Sequence, residues 1–119
     1  MDMKALEWVG SSKKDLKALP EDVQDTFGFA LYQAQIGEKH EDAKPLKGFG
    51  SAGMLEVMES DQSGTYRAVY TVKFRKAVYV LHCFQKKSTH GIATSQKDMD
   101  CIKTRLKVAA QDAKEKGYE

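Results

Sequence analysis

The sequence predicts an α+β fold in the order β-α-α-β-β-β-α, and three observations predict it. Three apolar runs between Met54 and Gln85 are joined by connections too short for crossovers, so they pair as an antiparallel meander. Two stripes of helical period lie on either side of that meander in the chain, one over Val23–Ala34 and one over Met99–Ala113. A short, partly alternating run, Lys4–Val9, opens the chain as a further strand. At 119 residues the chain reads as one domain, 1–119, long enough to bury a core without metal or disulfide staples.

After the opening strand, Ser12 and Asp15 have the S-x-x-D form of a capping box, and the short helix they begin carries Leu16 and Leu19 on one side. Pro20 suits the first turn of a second helix, with Glu21 and Asp22 where the helix dipole favours acids. Val23, Phe27, Ala30, Leu31 and Ala34 make its apolar stripe, and Gly37 stops it. "EKHEDAKPLKGFGSAG" is polar and glycine-rich, hence a loop. It contains G-x-G-x-x-G at Gly48, Gly50 and Gly53, but a strand follows where a dinucleotide site needs a helix. "MLEVMES", "TYRAVYTV" and "AVYVLHCFQ" form the meander, with turns at "DQSG" and "KFRK". Ser95-x-x-Asp98 caps a final helix that carries Met99, Ile102, Leu106, Ala109 and Ala113 and ends near Gly117.

Composition excludes several classes. No apolar run approaches the roughly 20 residues of a membrane span, and the N-terminal residues hold no apolar signal core, so a cytoplasmic protein is expected. Cys83 and Cys101 form no C-x-x-C and are expected to be reduced packing residues. No metal-ligand spacing is present, and no cofactor is expected. The net charge of +2 hides an asymmetry: residues 1–64 carry −5, residues 65–107 carry +8, and the last twelve carry −1. A basic second half suits a polyanion partner as well as it suits a solvated face.

Strand parity puts Tyr66, Ala68, Tyr70 and Val72 on one side of the middle strand, the obvious core face. Arg67, Val69 and Thr71 take the other side. A guanidinium in mid-sheet, pointing away from the core, needs either a carboxylate partner (Glu56 or Glu59) or an anionic ligand. The last strand delivers Lys86 and Lys87 to its end, and His90 follows with an unperturbed pKa near neutrality. With Lys73 and Arg75 they come from one meander and are expected close together. His82 reads as a hydrogen-bonded face residue, and His40 carries no special signal. Cleaving RNA through its own 2′-hydroxyl needs a base, cations for the phosphorane oxygens, and an acid for the leaving 5′ oxygen. Arginine matches phosphate geometry, and a lysine can act as base only where neighbouring cations depress its pKa.

The runs "KALEWVGSSKKDLKALP", "AKPLKGFG", "TYRAVYTVKF", "AVYVLHCFQKKSTHGIAT" and "IKTRLK" together span nearly the whole chain. In that order they resemble the RelE superfamily of type II toxin–antitoxin toxins, and most closely its HigB-like, phage-derived addiction module killer branch. The resemblance implies a small sheet with a helical hairpin and a C-terminal helix. It also implies a ribosome-dependent mRNA endonuclease held inactive by a cognate antitoxin, a helix-turn-helix protein from the adjacent gene. Arg67 of "YR.VY" would be the phosphate-stabilising cation. Lys86 and Lys87 would be the basic residues after the last strand, and Lys47 of "PLKG" a further phosphate contact. His90 falls where some members place an acid or base. Lys73 and Arg75 would add RNA contacts. Glu56 stands where better-known members carry lysines, which leaves the general base open.

Two other readings remain: a ParE-like topoisomerase inhibitor of the same fold, and a non-catalytic RNA-binding or phage regulatory protein. A phosphate-stabilising arginine favours the nuclease. For the antitoxin, an acidic amphipathic helix is expected to cover the basic meander or to displace the last helix, which presents Lys97, Lys103, Arg105 and Lys107.

Overall fold

A computed structural model describes residues 3–50, 53–86 and 94–119. Strand β1 (Ala5–Trp8) leads into helices α1 (Ser12–Lys17) and α2 (Glu21–Gln35). Strands β2 (Lys44–Pro45), β3 (Met54–Asp61), β4 (Gly64–Thr71) and β5 (Ala77–Lys86) follow, and helix α3 (Gln96–Lys116) closes the fold. The sheet order is β1-β5-β4-β3-β2, with β1 parallel to β5 and every other pair antiparallel. The predicted order holds, with one addition. The loop before the meander contributes the two-residue strand β2, whose Lys44 pairs with Glu56. Gly48, Gly50 and Gly53 all have positive φ and lead into β3, as a connection rather than a nucleotide loop. At Gly53 a Cβ would lie 3.0 Å from the Lys73 amide nitrogen, so the close strand approach itself requires glycine.

The two faces of the sheet bury separate cores. Tyr66, Ala68 and Tyr70 pack with Val23, Phe27, Leu31 and Leu16 of the helical hairpin, with Val72 partly buried at the margin, which is the predicted parity. Leu106 packs on the other face. There α3 lays Ile102, Ala109 and Ala113 over Val69, Tyr79, Leu81 and Met54. The second face is therefore not a solvent face.

The helix caps follow their chemistry. Ser95 Oγ accepts from the Asp98 amide at 3.2 Å and donates to the Asp98 carboxylate at 2.8 Å, the predicted box. At α1 the cap is Ser11 rather than Ser12. Ser11 Oγ donates to Asp15 Oδ2 at 2.7 Å, whereas Ser12 is buried and donates to the Val80 carbonyl at 3.1 Å. The strand carbonyl competes successfully for that hydroxyl because it lies inside the fold. Gly117 ends α3 in the left-handed conformation, with φ +73°.

A bulge in β5 decides which side chains meet. Val69 pairs with His82 but Tyr70 pairs with Val80, so Leu81 is an extra residue. Alternation reverses there: Tyr79 and Leu81 face α3, and so do His82 and Phe84, while Cys83 turns to the hairpin core. The displaced Leu81 carbonyl accepts from Arg105 Nη1 at 2.8 Å, and Arg105 Nη2 donates to Ser11 Oγ at 3.1 Å. Arg105 is thus a brace among β5, α1 and α3 rather than a cation offered to a partner. Arg105→Ala is expected to lower unfolding stability by about 2 kcal/mol, the worth of a charge-assisted hydrogen bond to an otherwise orphaned carbonyl. Urea denaturation with an unchanged m-value checks it.

Candidate functional site

The bulge and the sheet register together assemble one constellation on the α3 side of the sheet. Met58 sits opposite Arg67, Arg67 opposite Phe84, and Thr65 opposite Lys86. Glu56 lies one diagonal step away on β3, opposite Val69. Residues 56, 58, 65, 67, 84 and 86 therefore share a face, and without the extra residue at Leu81 the last two would point into the hairpin core.

Arg67 occupies the centre. It is 3% exposed, and its Nη1 donates to Glu56 Oε2 at 3.0 Å and to Thr94 Oγ1 at 2.8 Å. Of the two carboxylates that sequence allows as its partner, Glu56 takes the role. Glu59 pairs with Tyr66 on the opposite parity. The expectation that Arg67 stands off the core needs correcting. Its face is the predicted one, but that face is itself roofed near its centre, so the guanidinium is buried. Thr94, just ahead of the α3 cap, carries no sequence signal for this contact beyond its place before Ser95.

Lys86 joins the same electrostatic cluster. Burial, then repulsion from the Arg67 guanidinium, hold its ammonium below the ordinary lysine value, while Glu56 pulls the other way. Further back on β5, His82 Nε2 is 2.8 Å from Asp98 Oδ1 and its ring stacks on Phe84 at 4.4 Å. That contact ties the first turn of α3 to the sheet and agrees with the reading of His82 as a bonded face residue. A recess of about 340 Å³ opens next to Glu56, lined by Asp42, Lys44, Glu56, Met58, Glu59 and Ser60. Lys44, exposed and paired in register with Glu56, is a cation that sequence reasoning missed, because its strand is only two residues long.

Of the other predicted site residues, Lys47 is exposed in the turn after β2. Its neighbour Gly48 lies against α3, where a Cβ would be 3.5 Å from Met99 Cε, so Lys47 hangs beside the start of that helix. Lys73 and Arg75 do not join the cluster. They are exposed on the β4–β5 connection, past Thr71, which at about 3.3 Å per residue is already about 13 Å from Arg67. A meander keeps residues in one sheet but sends alternate turns to opposite ends. Lys87 and His90 lie outside the described residues. Among those described, no three His, Cys, Asp or Glu gather as a metal site, and no helix is long and apolar enough to cross a membrane. Cys83 and Cys101 are both free thiols, and burial pushes Cys83 up to about 12, which suits packing rather than nucleophilic attack.

Residues 14–107 match the family described as "Phage derived protein Gp49-like" (DUF891). The chain belongs to the Gp49-like family. No curated protein matches it. Among solved structures, this Gp49-like chain is similar to a doubly substituted E. coli toxin RelE in the free state. The identity is 18%, covering 90% of this chain and 97% of that one, with a TM-score of 0.57. It is also similar to the isolated E. coli RelE toxin, at 19% identity over 85% and 97% of the two chains, with a TM-score of 0.53. The fold of this Gp49-like protein is the RelE fold, the fold its motifs led one to expect.

Proposed function

We infer that the chain is the toxin of a type II toxin–antitoxin pair of the HigB-like branch. Its activity is ribosome-dependent cleavage of mRNA through the RNA's own 2′-hydroxyl. One observation carries the reading: a buried arginine and a lysine share one face of the sheet beside a carboxylate. A buried guanidinium fork suits the charge that grows on a phosphorane, and a lysine less willing to hold its proton suits the removal of the 2′ proton. Arg67 is the phosphate-stabilising cation and Lys86 the base. Glu56 occupies Arg67 until a phosphate competes for it. Lys47 and Lys44 flank the approach of the RNA backbone. The partner that restrains this activity is a helix-turn-helix antitoxin from the adjacent gene.

Induction without the antitoxin is expected to arrest growth and to leave mRNAs truncated inside translated reading frames, read by primer extension on a translated reporter. Growth arrest with intact mRNA and disturbed DNA supercoiling would replace the nuclease with the ParE-like reading. For the antitoxin, pull-down after co-expression is expected to weaken with salt and with charge reversal at Lys103 and Lys107, both exposed on α3.

A further inference from the structure

On the side of the sheet opposite Arg67, α2 turns an unusual surface outward. Asp25, Gly28, Phe29 and Tyr32 follow one another at helical spacing, and Phe29 and Tyr32 are 54% and 46% exposed. His40 meets Phe29 edge to face at 5.9 Å between ring centroids. Gly28 lies in the middle of the helix, where glycine is a poor helix former. Its φ is not positive, and a Cβ there would meet nothing within 4 Å. Neither backbone geometry nor packing inside the chain calls for glycine at this position. A bare spot beside two exposed aromatic rings does have a use: it lets another backbone come close.

The charge around this face selects what approaches. Residues 21–42 contain six carboxylates and a single lysine, and α2 itself carries no lysine or arginine. Nucleic acid and anionic lipid are repelled. A second copy in a symmetric pair would set the same carboxylates against one another. We propose that the outer face of α2 docks an arginine-bearing amphipathic helix of a protein partner. Small residues of that helix lie over Gly28, and its guanidinium groups sit on the Phe29 and Tyr32 rings beside Asp25. Guanidinium over an aromatic face is attractive, and a neighbouring carboxylate adds a charge-assisted hydrogen bond. The surface is separate from the Arg67 cluster, so its occupancy does not depend on the nuclease reading.

The test titrates the full chain with a fluorescent 18-residue helical peptide that carries alanines and two arginines one turn apart on one face. The control peptide has glutamates in place of the arginines. The arginine peptide is expected to bind and to be released by salt, and the glutamate peptide not to bind. Phe29→Ala or Tyr32→Ala should weaken binding about tenfold or more. Gly28→Leu should abolish it while raising the melting temperature by a few degrees, since leucine is the better helix former and has open space. That opposite movement of stability and binding is what a purely structural glycine would not produce. Equal binding of the two peptides, no binding of either, or full binding by Gly28→Leu overturns the proposal. So does a dimer in sedimentation that Tyr32→Ala disperses, which would make the occupant a second copy.

Discussion

Arg67→Ala is expected to reduce cleavage of a translated reporter by roughly a hundredfold or more, the effect of losing about 3 kcal/mol of transition-state charge stabilisation. The same substitution is expected to cost stability, because it leaves Glu56 and Thr94 facing a void where Arg67 Nη1 met both. Glu56 is 17% exposed, so water recovers part of that loss and the cost falls below that of breaking a fully buried pair. Two further variants separate catalysis from folding. Arg67→Met with Glu56→Gln keeps the volume and removes both charges, and should melt near the wild type yet cleave no better than Arg67→Ala. Arg67→Lys keeps the charge without the fork and should recover only part of the rate. A folded Arg67→Met/Glu56→Gln protein that cleaves at the wild-type rate would remove Arg67 from the chemistry.

How far this site was legible in the sequence depends on the kind of signal each residue leaves. Strand parity located Arg67 correctly on the face away from Tyr66 and Tyr70, because a period of two survives any tertiary context. The burial of that face was not legible. It depends on α3 crossing back over the sheet, and the stripe Met99, Ile102, Leu106 and Ala109 says that the helix has a buried side without saying which face it covers. The β5 bulge was also invisible, since "VYVLHCFQ" reads as continuous alternation with either parity. That single extra residue is what brings Lys86 onto the face of Arg67. Lys73 and Arg75 were misplaced for the complementary reason. Proximity in sequence along a hairpin is not proximity in space when the residues sit at opposite ends of an eight-residue strand.

Lys86→Ala is expected to lower cleavage about a hundredfold, in the range a positioned general base supplies, with little change in the melting temperature. The sign of its pH dependence follows from its surroundings. A lysine accepts the 2′ proton only when it is itself deprotonated, so the rate rises with pH and levels off above the pKa it has in the folded protein. Burial and Arg67 put that pKa below the ordinary value of 10.5, and Glu56 opposes them. Glu56→Gln removes the opposing term, so it is expected to shift the rising limb to lower pH and to increase the rate at a given pH below the plateau. Arg67→Lys retains a cation at the same position and should leave the limb nearly where it was. Single-turnover cleavage on stalled ribosome complexes between about pH 6 and 9 reads these shifts directly. If Glu56→Gln instead abolishes cleavage while Lys86→Ala spares it, the carboxylate is the base. Glu56 would then take the proton itself, and Lys86 would be left to steady the RNA backbone beside Arg67.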